Sequence, residues 1–562
     1  MKWIVADAAD PGLAQSLARE LGVEPFLAAL LCRRGLHGAA EARDFLHPKL
    51  KTLSDPFLLP NMSAAIERIL AALDKKERIV LYGDYDVDGV TSLALFARVL
   101  QAFGAEPRTF LPQRMDEGYG LSAEGIARCI DTHMPQLLIA LDCGTSSARE
   151  IAELKSHGTD VIVFDHHEIK SALPDCTLVN PKLGENFHYL CSAGIVFKAC
   201  HALLKLRPLA DFDLREYLDL AALGTVADIV PLIGENRIFV QHGLRQMERT
   251  RWAGLRALMD VAAVRAPIRP GDVGFRLGPR LNAAGRLGTA EDALKLLLCD
   301  DASQARSLAV GLDAQNQQRQ LVEQRTLRDA EKMVAENFDA ARDAAIIVGE
   351  SGWHQGVLGI VASRISKKSH RPTFIIGFDE SGLGKGSGRS IEGFSLVRAL
   401  AECGAQLEKF GGHEMAAGLT IQKNRFAEFQ RAFLDHARAR LTDDDLQPRL
   451  KLDAEVSFAD LDFDFLESHE LLQPFGTGNP QPIFFARGVR PATEPRVLKE
   501  KHLLFQLRQN GSQSSAIFFN GAEDELPRLP WDIAFRVERN EFRDSVTLQV
   551  QIVAIRTSEK IS

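Results

Sequence analysis

The chain has 562 residues, 46% of them hydrophobic and 25% charged, with a formal net charge of −8. That length exceeds one core and calls for about three or four domains, while the ordinary composition excludes a fibre or a largely disordered chain. The acidic balance excludes a protein that coats nucleic acid by bulk attraction, but not one with a local basic channel. The N-terminus MKWIVADAADPG carries Asp7 and Asp10 and lacks the apolar stretch of a secretory signal. Runs such as Phe26–Cys32 fall short of the roughly 18–20 apolar residues of a membrane span. Eight cysteines without CxxC spacing read as reduced core residues of a soluble, cytoplasmic protein.

In chain order, residues 1–60 read as a helical, loop-rich prelude broken by Pro48, Pro56 and Pro60. Ile79–Tyr82 then form a short buried strand running into Asp84, Asp86 and Asp88, with a turn closing on Gly89 and a helix from Val90 to about Phe103. Strands near 78–83, 137–142, 160–165 and 176–180, mostly separated by helices, predict a parallel sheet for a first lobe over 61–235. Residues 236–340 read as a helical connector ending in the polar helix Gln304–Asn337. A second α/β unit occupies 341–442, with strands at 344–348 and 373–377 and a Gly-rich loop, SGLGKGSGRS, at Ser381–Ser390. From 443 to 562 the alternating segments LLFQL, SAIFF, DIAFRV and VTLQVQIV predict an all-β module compatible with a small barrel, an OB-fold being one choice among several. The fold class is thus α/β: two α/β lobes joined by a long helical connector, plus a C-terminal β barrel.

Three aspartates at alternate positions repel one another unless a divalent cation sits among their oxygens. Further polar residues follow predicted strands or helices: Asp142 after LLIAL, Asp165-His166-His167 after VIVF, and Asp228 within LGTVADIVPL. Each alone reads as a helix cap or polar loop. Parallel strands bring their carboxyl ends to one edge, so one metal-rich cleft accounts for Asp84, Asp86, Asp88, Asp142, His166 and Asp228 together. Oxygen and imidazole donors suit Mn²⁺ or Mg²⁺, and two such ions about 3.5–4 Å apart suit phosphodiester hydrolysis. No Ser-His-Asp or Cys-His set competes, and the Gly-rich loop lacks the GxxxxGK(S/T) spacing of a P-loop.

GDYDVDG, LDCGTS, FDHHE and GTVADIVPL resemble the motifs of the DHH phosphoesterase superfamily, and FGGHEMAAGL resembles the signature of the associated DHHA1 domain. With GPRLNAAGRLG and PFGTGNPQPIF, the chain from about Phe45 to near its end is similar to the RecJ family of single-strand-specific DNA exonucleases. The resemblance implies a 5′→3′ hydrolase of single-stranded DNA that releases 5′-mononucleotides and uses Mn²⁺ or Mg²⁺, two ions per site. It implies Asp86, Asp88, Asp142, His166 and Asp228 as metal ligands, with Asp142 the bridge, His167 facing the scissile phosphate, and Asp84 standing behind the ligands. Tyr82 departs from the pattern, since many members of the superfamily carry His there. Arg280 and Asn282 are expected to hold substrate phosphates, the alternative for Arg280 being a salt bridge that pins the helical region. Ser387, Arg389 and Ser390 are expected to form a glycine-backed nest for a terminal 5′-phosphate, with Arg114 and His413 as further phosphate contacts. Trp353 and His354 are expected to face the sugar-phosphate chain. A monomer acting with helicase or single-strand-binding partners in DNA repair and recombination is the family expectation. The rivals are a DHH enzyme of small nucleotides and a catalytically silent replication scaffold.

Overall fold

A computed structural model of the chain describes residues 1–112, 120–169, 172–542 and 545–558. The first lobe is built on a five-stranded parallel sheet in the order Arg108–Phe110, Ile79–Gly83, Leu137–Leu141, Asp160–Phe164, Thr177–Val179. Its inner strands are continuous apolar runs because helices cover both faces. Alternation along each strand splits them between two layers. Ile79, Leu81, Ile139 and Phe164 pack under the helices Met62–Lys75, Val87–Ala102 and Ser192–Leu206. Val80, Tyr82, Ala140 and Val163 pack under Ala123–His133 and Ala148–Ser156.

The first of these cores runs on through the helical region to Leu312, so the connector is continuous with the first lobe. The helix Ala302–Asn337, 36 residues and about 54 Å long, buries Ala305, Ala309 and Leu312 there and Ala330 in the second lobe. Between these ends its buried positions are polar. Glu323 takes Arg319 and Arg364 at 2.6 Å each, so Arg364 is a structural contact here. Arg371 likewise donates to the backbone carbonyls of Asp343, Ala340 and Leu446.

The second lobe has a mixed sheet in the order Lys409–Gly412, Ala416–Gln422, Leu383–Arg389, Thr373–Phe378, Ile346–Ser351. The stretch expected as a Gly-rich loop is a central strand, with its backbone committed to both neighbours. Its glycines serve packing: a Cβ at Gly384, Gly386 or Gly388 would lie within 2.9 Å of Phe378, Leu419 or Phe374.

At the C-terminus, Phe484–Pro491, Trp531–Phe542, Ser545–Thr557, Ser512–Phe518 and His502–Gln509 pair in sequence, and Arg490 opposite Arg508 closes the barrel. The N-terminal segment joins this module. Lys2–Val5 pairs in parallel with Arg449–Leu452. Leu17, Leu27, Leu31 and Leu46 share one core with Phe484, Phe505 and Phe535. Arg237 ties the pieces together: it lies 3.8 Å over the Phe45 ring and donates to the carbonyls of Phe45 at 2.7 Å and Gln473 at 2.6 Å. Among the described residues, no helix is long and apolar enough to cross a membrane.

Candidate metal centre and substrate cleft

The inner strands of the first lobe stop in register, with Gly83 opposite Leu141 and Leu141 opposite Phe164. The next residue of each is an aspartate, so Asp84, Asp142 and Asp165 stand side by side at the carboxyl edge of the sheet. Asp142 takes a left-handed backbone, φ 66°, while its N–H donates to the Phe164 carbonyl at 2.9 Å. Aspartate tolerates that conformation better than most residues. Asp86 caps the helix Val87–Ala102 by accepting from Gly89 N at 3.1 Å. Position 89 requires glycine, because a Cβ there would lie 2.5 Å from the Asp84 carbonyl oxygen.

Asp88, in the first turn of that helix, accepts from the N–H groups of Ser192 at 2.7 Å and Ala193 at 2.9 Å. The N-terminus of Ser192–Leu206 thus aims its positive end at the cluster, and the Ser192 hydroxyl donates to Asp142 Oδ1 at 3.0 Å. Asp228 ends the helix Leu218–Ala227. His166 Nε2 lies 3.4 Å from Asp142, 3.5 Å from Asp228 and 3.9 Å from Asp88.

Three overlapping groups each bring their donor atoms within 4.8 Å of one another: Asp84, Asp86 and Asp142; Asp88, His166 and Asp228; Asp142, His166 and His167. Asp142 and His166 each belong to two of them. Asp84 stands among the donors rather than behind them. Tyr82 is turned to the opposite face of the sheet, fully buried, stacked on Phe110 and donating to the Gly120 carbonyl at 3.2 Å.

The cluster is electrostatically incomplete. Burial, then the neighbouring Asp86, raises Asp88 to about 6 despite its amide partners. Burial and the charges of Asp88 and Asp86 push Asp228 up to about 9, and burial with Asp88 and Asp86 holds Asp142 well above the carboxylate range. Burial, then His167, lowers His166 to about 3. The buried atoms His166 Nε2 and Asp228 Oδ2 have no hydrogen-bond partner. Carboxylates that resist ionising together and an unprotonated imidazole are the donor set a divalent cation completes.

His167 is different. Burial works against its proton, but the 2.7 Å hydrogen bond from Nδ1 to Asp165 and the negative charges of Asp165, Asp84 and Asp86 together outweigh it and raise the pKa. Asp165, which also accepts from Thr145 N at 2.9 Å and His166 N at 2.8 Å, is held below the usual carboxylate range chiefly by His167, against its own burial. Asn180 donates to the His167 carbonyl and the Thr145 hydroxyl, each at 3.0 Å. Asp165, Asn180 and Ser192 were not picked out as functional from the sequence. Asp165 lay inside the DHH triplet, whereas the hydrogen bonds that Asn180 Nδ2 and the Ser192 amide and hydroxyl make to residues distant in the chain leave no local signature.

The expected substrate contacts distribute unevenly. The helix Gly278–Leu287 lies on the metal loop, with the Gly285 Cβ position 3.0 Å from the Tyr85 carbonyl oxygen, and it carries half-buried Asn282. Arg280 on that helix is engaged by Asp313, Nε to Oδ1 at 2.8 Å, and by the Arg276 carbonyl at 2.7 Å. Arg286 Nη1 meets the Gly356 carbonyl of the second lobe at 3.2 Å.

Ser387 and Arg389 share one face of their strand and point at the helix Gln355–Ser369, where a Cβ on Gly359 would lie 3.0 Å from both. Arg389 Nη1 donates to Ser387 Oγ at 3.2 Å, and burial lowers its pKa. The Ser390 hydroxyl is turned to the Phe394 carbonyl at 2.6 Å instead, so the expected nest is replaced by a strand face. His413 sits at the hairpin tip between Lys409–Gly412 and Ala416–Gln422. Its charge reaches Glu168 of the first lobe, whose carboxyl is lowered mainly by Lys182. Trp353 is buried in the core beneath Gln355–Ser369, and half-buried His354 caps that helix by accepting at Nδ1 from Gly356 N at 3.1 Å. Arg114 lies outside the described residues.

A parallel α/β lobe with this acidic and Asp-His-His edge, facing a second α/β lobe, defines a DHH-class protein. Family profiles match accordingly: the N-terminal domain of the DHH family over residues 78–225, the DHHA1 domain over 343–440 and the RecJ OB domain over 452–554. The chain belongs to the RecJ family of single-stranded-DNA-specific exonucleases. It is 35% identical to the RecJ of Bacillus subtilis, covering 100% of this chain and 71% of that protein. It is 34% identical to the RecJ of Escherichia coli, covering 94% and 95%. The crystal structure of Thermus thermophilus RecJ in complex with Mn²⁺ superposes with a TM-score of 0.86 at 31% identity, covering 100% of this chain and 80% of that one. The same protein in complex with Mg²⁺ gives 0.81 at 30% identity, covering 99% and 79%.

Proposed function

We propose that this chain is a 5′→3′ exonuclease that degrades single-stranded DNA to 5′-mononucleotides with Mn²⁺ or Mg²⁺. The observation that carries the reading is the convergence of donor atoms from separate loops and helix ends on one sheet edge. Asp84, Asp86 and Asp142 would hold one ion, and Asp88, Asp142, His166 and Asp228 the other. Bound there, the ions supply charge neutralisation of the phosphodiester and a water of lowered pKa.

The chain's own residues do the rest. Asp165 holds His167 by Nδ1, and His167 gives a proton to the departing 3′-oxygen of the terminal nucleotide, so the new 5′-phosphate stays on the shortened strand. Ser192 fixes the rotamer of Asp142. Arg389 and Ser387, beside the N-terminal half of Gln355–Ser369, hold the terminal 5′-phosphate, with His413 over the cleft and Asn282 and Arg280 along the strand. The barrel adds grip on the strand. We place the protein in the cytoplasm, as a monomer in DNA repair and recombination, working with a helicase or a single-strand-binding protein. Eight free cysteines, seven of them buried, support a reducing compartment.

Digestion of 5′- and 3′-labelled oligonucleotides, single- and double-stranded, with and without Mn²⁺, tests the reading. Labelled mononucleotide should appear first from the 5′-labelled single strand and only with metal. Preference for dinucleotides would favour an enzyme of small nucleotides, and intact strands would favour a scaffold.

A further inference from the structure

Phe275 is 84% exposed, more than any other large hydrophobic residue among those described. It lies in the π-helical turn Val273–Leu277, whose Val273 and Leu277 are fully buried. Such wide turns recur at functional sites. The turn continues directly into the helix Gly278–Leu287. Phe275 lies three residues before Gly278, which is buried. A Cβ on Gly278 would lie 3.7 Å from the Ala227 Cβ, and Ala227 is the residue before Asp228. The ring folds back towards Gly271, whose Cβ position is 3.9 Å away, and Gly274 has nothing within 4 Å, so the face is open.

On the other side of Asp228 stands Ile229, 70% exposed with φ 62°. A β-branched residue in the left-handed region is strained, and at that exposure little packing offsets the strain. Two large apolar side chains therefore stand in water on the two elements that carry and flank one corner of the metal cluster. Two residues are too small a patch for a stable protein interface. They suit a nucleobase: a strand with its phosphate at the cluster carries its bases a few ångströms to the side, and every base offers a π-face whatever its identity.

We infer that Phe275, with Ile229 beside Asp228, is a rest on which a base of the substrate strand stacks, setting the strand's register at the cluster without reading sequence. This rests on the reading of the chain as a single-strand nuclease and names a positioning surface within it. Phe275→Ala should raise KM for oligo(dT) by about 5- to 100-fold, the range of one lost base–aromatic stack, with kcat changed by less than about two-fold. On an oligonucleotide of abasic residues, wild type and variant should no longer differ. Ile229→Gly, which relieves the backbone, should keep the melting temperature and also raise KM. Phe275→Trp, mixed with phosphorothioate oligo(dT) in EDTA, should show quenched fluorescence.

An unchanged KM for Phe275→Ala, or an equal penalty on abasic and normal strands, overturns the inference while leaving the nuclease reading intact. If the wild type leaves single strands uncut, that reading fails instead. The fluorescence of the Phe275→Trp variant then decides base contact by itself: quenching by oligo(dT) supports the stack and its absence overturns it.

Discussion

His167 Nδ1 lies 2.7 Å from Asp165 Oδ1, and the same carboxylate is fixed by the backbone amides of Thr145 and His166. Asp165 appears in none of the donor groups among the described residues, and on the proposed reading it orients His167. Asp165→Asn should lower kcat by roughly 10- to 100-fold, the usual effect of losing an orienting partner of a site residue, with KM for single-stranded DNA little changed. Steady-state kinetics on a 5′-labelled strand checks this. Unaltered kcat would separate His167 from the chemistry.

Asp142 is shared by two donor groups and is crowded by Asp88, Asp86 and Asp228. Asp142→Asn keeps a side chain that tolerates the φ of 66° but removes a charge. Turnover with Mn²⁺ should be lost. In EDTA the melting temperature should hold or rise, because mutual repulsion is relieved. Mn²⁺ should raise the melting temperature of wild type more than that of the variant, by mass action on the folded state. Calorimetry with and without metal reads both effects, and equal metal-induced shifts would contradict the ligand assignment.

Arg280 is held by Asp313 at 2.8 Å in a half-buried pair, which leaves its role divided between pinning the helices and meeting phosphate. If it touches phosphate, Arg280→Ala weakens single-strand binding and reduces the salt slope by about one, whereas Asp313→Asn frees the guanidinium and tightens binding. This is the expected outcome. Binding titrations across a salt series distinguish it from a purely structural pair, for which both variants lose stability, by about 1 kcal/mol, and neither alters the slope.

Asp219 is buried and accepts from Thr250 Oγ1 at 2.6 Å, Leu220 N at 2.8 Å and Trp252 Nε1 at 3.1 Å. Burial outweighs those donors and raises its pKa from 3.8 to about 6. The folded protein therefore holds this proton more tightly than the unfolded chain. The contribution to stability is full below about pH 4 and is lost as pH rises to about 6, by roughly 3 kcal/mol at most. Asp219→Asn, with no proton to lose, should be relatively more stable above pH 6 than at pH 4. Urea midpoints of both proteins over pH 4–7 test this, and parallel curves would refute it.

The inner strands, the acidic and imidazole residues of the sheet edge and the barrel's alternating segments were legible because they depend on local pattern: continuous apolar runs, aspartates at strand ends, alternation along a strand. The motifs carried the family as well. The strand at Leu383–Arg389 was hidden because its glycines, which signal a loop locally, are required by Phe374, Phe378 and Leu419 arriving from elsewhere. The partnership of the first 46 residues with the barrel was hidden too, since a strand pairing such as Lys2 with Arg449 has no trace in either segment alone. Sequence by itself determined which groups could bind a cation and on which kind of element they lie. Only the tertiary structure decided that Asp84 joins the donors while Tyr82 turns away, that Asp165 serves His167, and that Arg280 already has a carboxylate. Those outcomes depend on register between strands and on burial, which arise from contacts between residues distant along the chain.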